Sequence, residues 1–247
     1  MKDLDRHALF LDVDGTLLPI APTPTSVRVT NELRELLVAL GEQFAGALAL
    51  VSGRSIADLD GLFAPLKLQI AGIHGSERRR ADGTIFRAEV DAAKLQVARA
   101  RLERWSKERP GILIEDKGAA IAIHYRQAPH LQDEVMQQAA ALIDELQPTF
   151  RLQLGKCVCE LRPAAYSKAV AIESYLAESP FQSRTPIFVG DDVTDEEAFE
   201  WMNEQGGVSI KVGSGETAAT YRLDDVDAVH RFLRDLPGSL ASLESGA

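Results

Sequence analysis

The chain has 247 residues, a formal net charge of −10 and ordinary fractions of apolar and charged side chains. That composition excludes a disordered chain and leaves no basic face for a nucleic-acid or anionic-membrane partner. The length accommodates one large domain, or a core domain carrying a smaller inserted one.

No apolar run approaches the ~18 residues that span a bilayer, and the mixed charges ahead of the first strand are unlike a signal peptide. A soluble, cytoplasmic protein without a membrane partner is expected. Cys157 and Cys159 stand two positions apart, a spacing that suits a disulfide poorly and leaves a zinc site incomplete. Two reduced thiols are expected.

His7 to Val13 predicts a buried strand ending in acidic residues. Pro19, Pro22 and Pro24 hold a loop open, and Ser26 or Thr30 starts a helix carrying Leu33, Leu36, Leu37 and Leu40 at helical spacing. A second buried strand, Ala47 to Val51, runs into Ser52-Gly53-Arg54, and the helical stretch after it is interrupted at Pro65. Leu68 to Ala71 predicts a third strand, followed by Gly72-Ile73-His74-Gly75-Ser76-Glu77. Arg78-Arg79-Arg80 reads as a solvated hinge.

From about Arg87 the character changes. Glu89 to Arg109 predicts one long charge-rich helix, followed by two short strands around a turn at Asp116-Lys117-Gly118. A helix from about His130 to Leu146 follows, and Arg151 to Arg162 reads as a single strand. These elements can form a small sheet with two helices on one face. After Pro163 come a helix over Lys168 to Ala177, a strand over Pro186 to Val189, and Gly190-Asp191-Asp192. Thr194 and Glu197 have the spacing of a capping box, and Val208 to Val212 is the last strand.

The alternation predicts an α/β protein, a Rossmann-like doubly wound parallel sheet with an inserted smaller α+β cap. Residues 1–83 and 163–247 are the expected core and 84–162 the expected cap. In such sheets ligands bind outside the carboxyl ends of the strands. Asp12-Val13-Asp14, Ser52-Gly53-Arg54, His74-Gly75 and Asp191-Asp192 all fall at such ends.

An Asp-Gly pair alone is a common turn signal. Preceded by an apolar strand and followed by Leu17-Leu18, Asp12-Val13-Asp14-Gly15-Thr16 resembles the DxDGT motif of the haloacid dehalogenase superfamily. An ionised carboxylate can attack phosphorus to give an acyl phosphate, and a second carboxyl can serve the leaving oxygen and then the water. The resemblance implies Asp12 as nucleophile and Asp14 as general acid and base, with Thr16 holding the phosphoryl group or Asp14. It implies that Ser52 bonds the phosphoryl oxygens and that Lys168 neutralises charge. Ala169 after Lys168 departs mildly from the Lys-Gly of the related pattern.

Carboxylate and phosphate repel in a dry site, and a divalent cation offsets that repulsion. Magnesium suits oxygen donors. By resemblance, Asp12, Asp191 and the backbone carbonyl of Asp14 hold Mg2+, with Asp192 and Asp195 behind them. Thr194, Asp195 and Glu197 also fit a plain helix cap.

Further segments narrow the substrate. GxHGxE at Gly72–Glu77, His124-Tyr125-Arg126, GKxxxELRP from Gly155 to Pro163, and GDDxTDE from Gly190 to Glu196 occur in that order. Together they resemble the trehalose-6-phosphate phosphatase family, over nearly the whole chain. This implies hydrolysis of trehalose 6-phosphate in trehalose biosynthesis, through a phosphoaspartate. It implies a small sugar phosphate as ligand and a trehalose-6-phosphate synthase as functional partner. Arg54, His74, Glu77, His124, Arg126, Lys156, Glu160 and Arg162 are then the substrate-binding residues. Side-chain alternation along a regular Arg151–Arg162 strand would put Lys156, Glu160 and Arg162 on one face, and His124 and Arg126 share another. A solvated outer face is the plain alternative. Lys117, in a turn, stays open between solvent and site. Another capped phosphatase, for sucrose phosphate or mannosyl-phosphoglycerate, would differ at Lys156, Glu160 and Arg162, whereas a silent sugar-phosphate sensor would have lost Asp12 or Asp14.

Overall fold

A computed structural model describes residues 4–20, 27–238 and 240; Pro22, Pro24 and Ser26 lie outside the described residues. In chain order the first half comprises β1 (His7–Leu11), α1 (Asn31–Gln43), β2 (Leu48–Val51), α2 (Ile56–Phe63), β3 (Gln69–Gly72), β4 (Glu77–Arg79) and β5 (Ile85–Arg87). Then follow α3 (Ala92–Ser106), β6 (Leu113–Asp116), β7 (Ile121–His124), α4 (Gln132–Leu146), β8 (Phe150–Gly155) and β9 (Val158–Pro163). The chain closes with α5 (Lys168–Leu176), β10 (Thr185–Gly190), α6 (Glu196–Glu204), β11 (Val208–Val212), β12 (Tyr221–Leu223) and α7 (Val226–Arg234).

Two sheets result. The larger has the order β12-β11-β10-β1-β2-β3-β4-β5, parallel from β12 to β3 and antiparallel at the β4–β5 edge. Its central strands are apolar throughout because helices cover both faces. Along β1, Leu9 and Leu11 join the cluster under α1, α2 and α7, whereas Ala8 and Phe10 pack beneath α5 and α6. The smaller sheet, β6-β7-β9-β8, is antiparallel and inserted between β5 and α5. One of its faces, with Ile121, Ile123, Cys159 and Leu161, packs on α3 and α4. By alternation, the opposite face carries Ala122, Glu160 and Arg162.

Several expectations need correction. Arg151 to Arg162 is not one strand but the β8–β9 hairpin, in which Gly155 faces Val158 and Lys156-Cys157 form the turn. Cys157 has φ 63° there. Lys156 therefore does not share a face with Glu160 by strand alternation. Arg78 and Arg79 form β4 rather than a solvated hinge. Arg78 lies 4.8 Å over the Tyr175 ring and bonds Glu178 at 2.6 Å, while Arg79 grips both oxygens of Asp60 at 2.7 and 2.6 Å. The capping box uses Asp192 and Asp195, not Thr194 and Glu197; Glu197 instead pairs with Arg151. Of the two candidate starts for α1, Thr30 is the N-cap, accepting a hydrogen bond from Leu33 N at 3.2 Å. Among the described residues no helix is long and apolar enough to cross a membrane.

Phe10, fully buried on β1, stacks with Phe181 at 5.4 Å and meets Tyr175 at 6.0 Å. Truncating it would leave a cavity in the core beside the central strand. Phe10→Ala is expected to lower the unfolding free energy by about 3–5 kcal/mol, read from urea denaturation followed by tryptophan fluorescence.

Candidate active site

Loops at the carboxyl ends of β1, β2, β3 and β10 and the polar face of the smaller sheet enclose a cleft of about 800 Å³. Asp12 follows β1 directly and is 4% exposed. Its backbone N–H donates to Val189 O at 2.9 Å, which ties it to β10. The chain then turns at Gly15 with φ 86°, where a Cβ would lie 2.1 Å from Asp191 Oδ2. Only glycine meets both demands, and its absent side chain is what lets the Asp191 carboxylate sit against this turn.

Carboxylate oxygens of Asp12, Asp191 and Asp195 lie within 4.8 Å of one another, all three residues buried. Lys168 stands at the start of α5, behind the Ser167 N-cap, and bridges Asp12 Oδ1 at 2.7 Å and Asp195 Oδ1 at 2.5 Å. Two of the three carboxylates thus share one ammonium, and Asp191 pairs instead with Lys156. Burial pushes the Asp12 carboxyl well above its ordinary value; Lys168 pulls it down, and Asp195 and Asp191 push it further up. Burial likewise raises Asp191, against the pull of Lys156. Despite its own burial, Lys168 is held well above the usual lysine range by Asp12 and Asp195.

This excess of negative charge suits a hard divalent cation. Asp191 Oδ1 is buried without a hydrogen-bond partner, an acceptor left for such an ion. Both Asp195 oxygens are engaged, one by Lys168 and the other by the Asp192 N–H at 2.9 Å, so Asp195 braces the cluster from behind. Thr16 Oγ1 reaches Asp12 Oδ2 at 3.5 Å. The Asp14 side chain points elsewhere. Arg54 holds it in a two-pronged pair, Nε to Oδ2 and Nη2 to Oδ1, each at 2.6 Å. Ser52, nearly fully buried, accepts from Arg54 N at 3.2 Å.

A second network joins the two sheets. His74 adopts φ 52°, its backbone N–H bonded to Ser52 O at 3.0 Å. Its Nε2 meets Glu160 Oε2 at 3.0 Å. The other Glu160 oxygen accepts from Lys117 Nζ at 2.5 Å, and Lys117 also reaches Gly53 O at 2.9 Å. Burial opposes charge on Glu160, yet Lys117 and His74 hold its carboxyl well below the usual range. Burial lowers His74, against the pull of Glu160. Lys117, left open by its place in a turn, is thus buried and paired. His124 bonds Glu115 at 2.7 Å, Arg126 donates to Lys156 O at 2.9 Å, and Lys156 reaches Asp191 Oδ2 at 2.6 Å from the hairpin turn.

The cleft brings together Asp12, Asp14, Ser52, Arg54, His74, His124, Arg126, Lys156, Glu160, Lys168 and Asp192. Two expected substrate residues do not line it. Glu77 accepts from the N–H of Ile56, the first residue of α2, at 2.5 Å, beside the Ser55 N-cap. Arg162, whose value burial lowers to about 10, donates to Tyr166 O and to Gln153 Oε1. Residues not foreseen are Glu115 and Gln153, which line the cleft, and Lys211, buried on β11. Gln153 faces Glu160 in the hairpin register, but only a hairpin reading reveals that pairing. Lys211 is the one charge in the apolar run Val208–Val212, a signal the sequence did carry. Both cysteines are free, and burial raises Cys159 to about 12, leaving an inert thiol.

Comparison with known proteins places this geometry in context. The family model described as "Trehalose-phosphatase" matches residues 10–227. The trehalose-6-phosphate phosphatase of Escherichia coli K12 is 41% identical over 235 residues, covering 95% of this chain and 88% of that protein. A probable trehalose-phosphate phosphatase of Sinorhizobium fredii is 45% identical over 211 residues, covering 85% and 79%. A solved trehalose-6-phosphate phosphatase related protein superposes with TM-score 0.75 at 28% identity, covering 96% of this chain and 99% of the other.

Two expectations follow from the geometry. Gly15→Ala forces Asp191 away and is expected to cut phosphatase turnover by about 10²-fold, as a misplacement near 1 Å does, with circular dichroism unchanged. The Glu160 pairing contributes stability that is complete above 4.5, the ordinary glutamate value, and is lost as pH falls through the lower folded value. Between about pH 5 and pH 3 the wild-type melting temperature should therefore fall more steeply than that of Glu160→Gln.

Proposed function

The chain belongs to the trehalose-phosphatase family, and on that premise we propose that it hydrolyses trehalose 6-phosphate to trehalose and phosphate through a phosphoaspartate on Asp12. The observation that carries this reading is the polarity of one cleft. At one end stand Asp12, Lys168, Ser52 and Asp192; along the other wall the smaller sheet presents Lys117, His124, Gln153 and Glu160. A phosphate suits the first and a polyhydroxyl body suits the second.

In the first step an Asp12 oxygen forms a bond to phosphorus while the phosphorus–sugar oxygen bond breaks. The electron pair stays on the sugar oxygen, which takes a proton from Asp14. In the second step water attacks phosphorus, Asp14 takes its proton, and the Asp12–phosphorus bond breaks to release phosphate. Mg2+, held by Asp12, Asp191 and the Asp14 carbonyl, would neutralise charge on the phosphoryl group. Lys168 opposes the effect of burial on the Asp12 carboxyl and offsets the incoming phosphate, and Ser52 and Thr16 supply hydroxyls beside it. Arg54 grips both Asp14 oxygens and has to release one for the Asp14 proton to be exchanged. Residues 84–162 act as a cap that shuts water out once the sugar is bound, with the His74–Glu160–Lys117 network as its bridge to the core. A synthase that makes the phosphorylated disaccharide is the functional partner that this reading names.

Phosphate release from a panel of sugar phosphates, with Mg2+ and with chelator, tests the proposal. Trehalose 6-phosphate is expected to exceed glucose 6-phosphate and sucrose 6-phosphate by at least about tenfold in kcat/KM. Comparable turnover of sucrose 6-phosphate would overturn the assigned substrate. Asp12→Asn is expected to abolish release, and Asp14→Asn to slow it by about 10²–10⁴-fold. Full activity in either variant, or in chelator, would sink the mechanism.

A further inference from the structure

Lys211 takes no part in the chemistry above, yet it is one of the few ammonium groups this fold buries. It lies on β11, 5% exposed, in parallel register with Gly190 at the end of β10. Its neighbours Ile210 and Val212 belong to the apolar core. An aliphatic side chain would fill the same place, and burying an ammonium is unfavourable unless its donors are well met. Its contacts are specific: Nζ donates to the backbone carbonyl of Asp191 at 2.6 Å and lies 3.3 Å from Glu196 Oε1. The second oxygen of Glu196 is fixed in turn by Ala218 N at 2.9 Å and Thr217 Oγ1 at 3.0 Å.

Asp191 is a residue whose backbone needs such a hold. Its side chain is packed against the Gly15 turn with Oδ1 unpartnered, beside Asp12 and Asp195. Lys156 holds Asp191 Oδ2 at 2.6 Å from the hairpin turn, but that bond leaves the peptide itself to be fixed from elsewhere. On the far side of that peptide the Asp192 N–H is bonded to Asp195. Lys211 completes a two-sided clamp, and it does so with a charge opposite in sign to the cluster.

We infer that Lys211 is a positioning residue for the cation site: by clamping the Asp191 carbonyl it aims the Asp191 carboxylate at the ion shared with Asp12. It acts through Asp191 and touches no reacting atom. The inference rests on the metal-dependent reading above, and the test separates the two. Mn2+ is titrated into the purified full chain without substrate, the free ion being followed by electron paramagnetic resonance. Lys211→Met keeps an unbranched chain one atom shorter and removes the charge and the donor; its affinity is expected to fall by about 10–100-fold, the range for groups that orient metal ligands. The melting temperature of the metal-free protein should stay near wild type, and activity lost at low Mn2+ should return as Mn2+ is raised. Wild-type affinity in Lys211→Met would overturn the role assigned to Lys211. A wild-type chain that binds no Mn2+ would overturn the metal-dependent reading itself. Should Lys211→Met fail to fold, Lys211→Gln keeps a donor too short for the Asp191 carbonyl and carries the same expectation and the same refutation.

Discussion

Three buried carboxylates held by only two ammonium groups set the terms for the rest of this molecule. Asp12, Asp191 and Asp195 are buried and repel one another, and Lys168 and Lys156 compensate only part of that charge. Such a cluster survives only if each member is held from behind. Asp12 is tied to Val189, Asp195 to the Asp192 N–H, and Asp191 to Lys211 through its carbonyl. Adjacent parallel strands provide these holds because their carboxyl ends converge at one edge of the sheet. The residual negative charge is a reason for the site to take up a cation and, once it is bound, an anionic phosphate.

The smaller sheet works under a different constraint. Its apolar face is spent on α3 and α4, so its polar face must look either to solvent or to the core. It looks to the core. Glu160 and Lys117 are both buried, and each is satisfied only by groups across the cleft or on the neighbouring strand. Gly53 makes the approach feasible, since a Cβ there would fall 2.7 Å from His74 Nε2. Both members of the pair sit on the smaller sheet, and their bonds to His74 and to Gly53 O couple the position of the insertion to the loops after β2 and β3. Those same loops carry Ser52, Arg54 and His74.

Arg54, which lines the cleft, spends its guanidinium on a neighbouring side chain. Its guanidinium forks onto Asp14, the geometry in which arginine is most selective for carboxylate. Glu77 and Arg162 do not line the cleft. Both belong to motifs that point to ligand binding, and both are consumed locally, one on the first N–H of α2 and one in holding the Tyr166 carbonyl. Presence in a motif identifies a segment that matters, while the direction of each side chain depends on the backbone that carries it.

The sequence by itself determined the alternation of strand and helix, the acidic strand end at Asp12-Val13-Asp14, the small-residue turn at Gly15 and the placement of Lys168 and Asp191. The first three depend on local pattern, apolar runs and turn residues, whereas Lys168 and Asp191 are singled out by the order of motifs in a family resemblance. Only the tertiary structure decided that Arg151–Arg162 folds back as a hairpin, so that Lys156 reaches Asp191 from a turn. It alone decided that Arg78 and Arg79 extend the sheet, and that Lys117 and Lys211 are buried rather than solvated. The physical reason is common to all four. Burial of a charge is set by what packs against it from distant parts of the chain, and no run of neighbours records that.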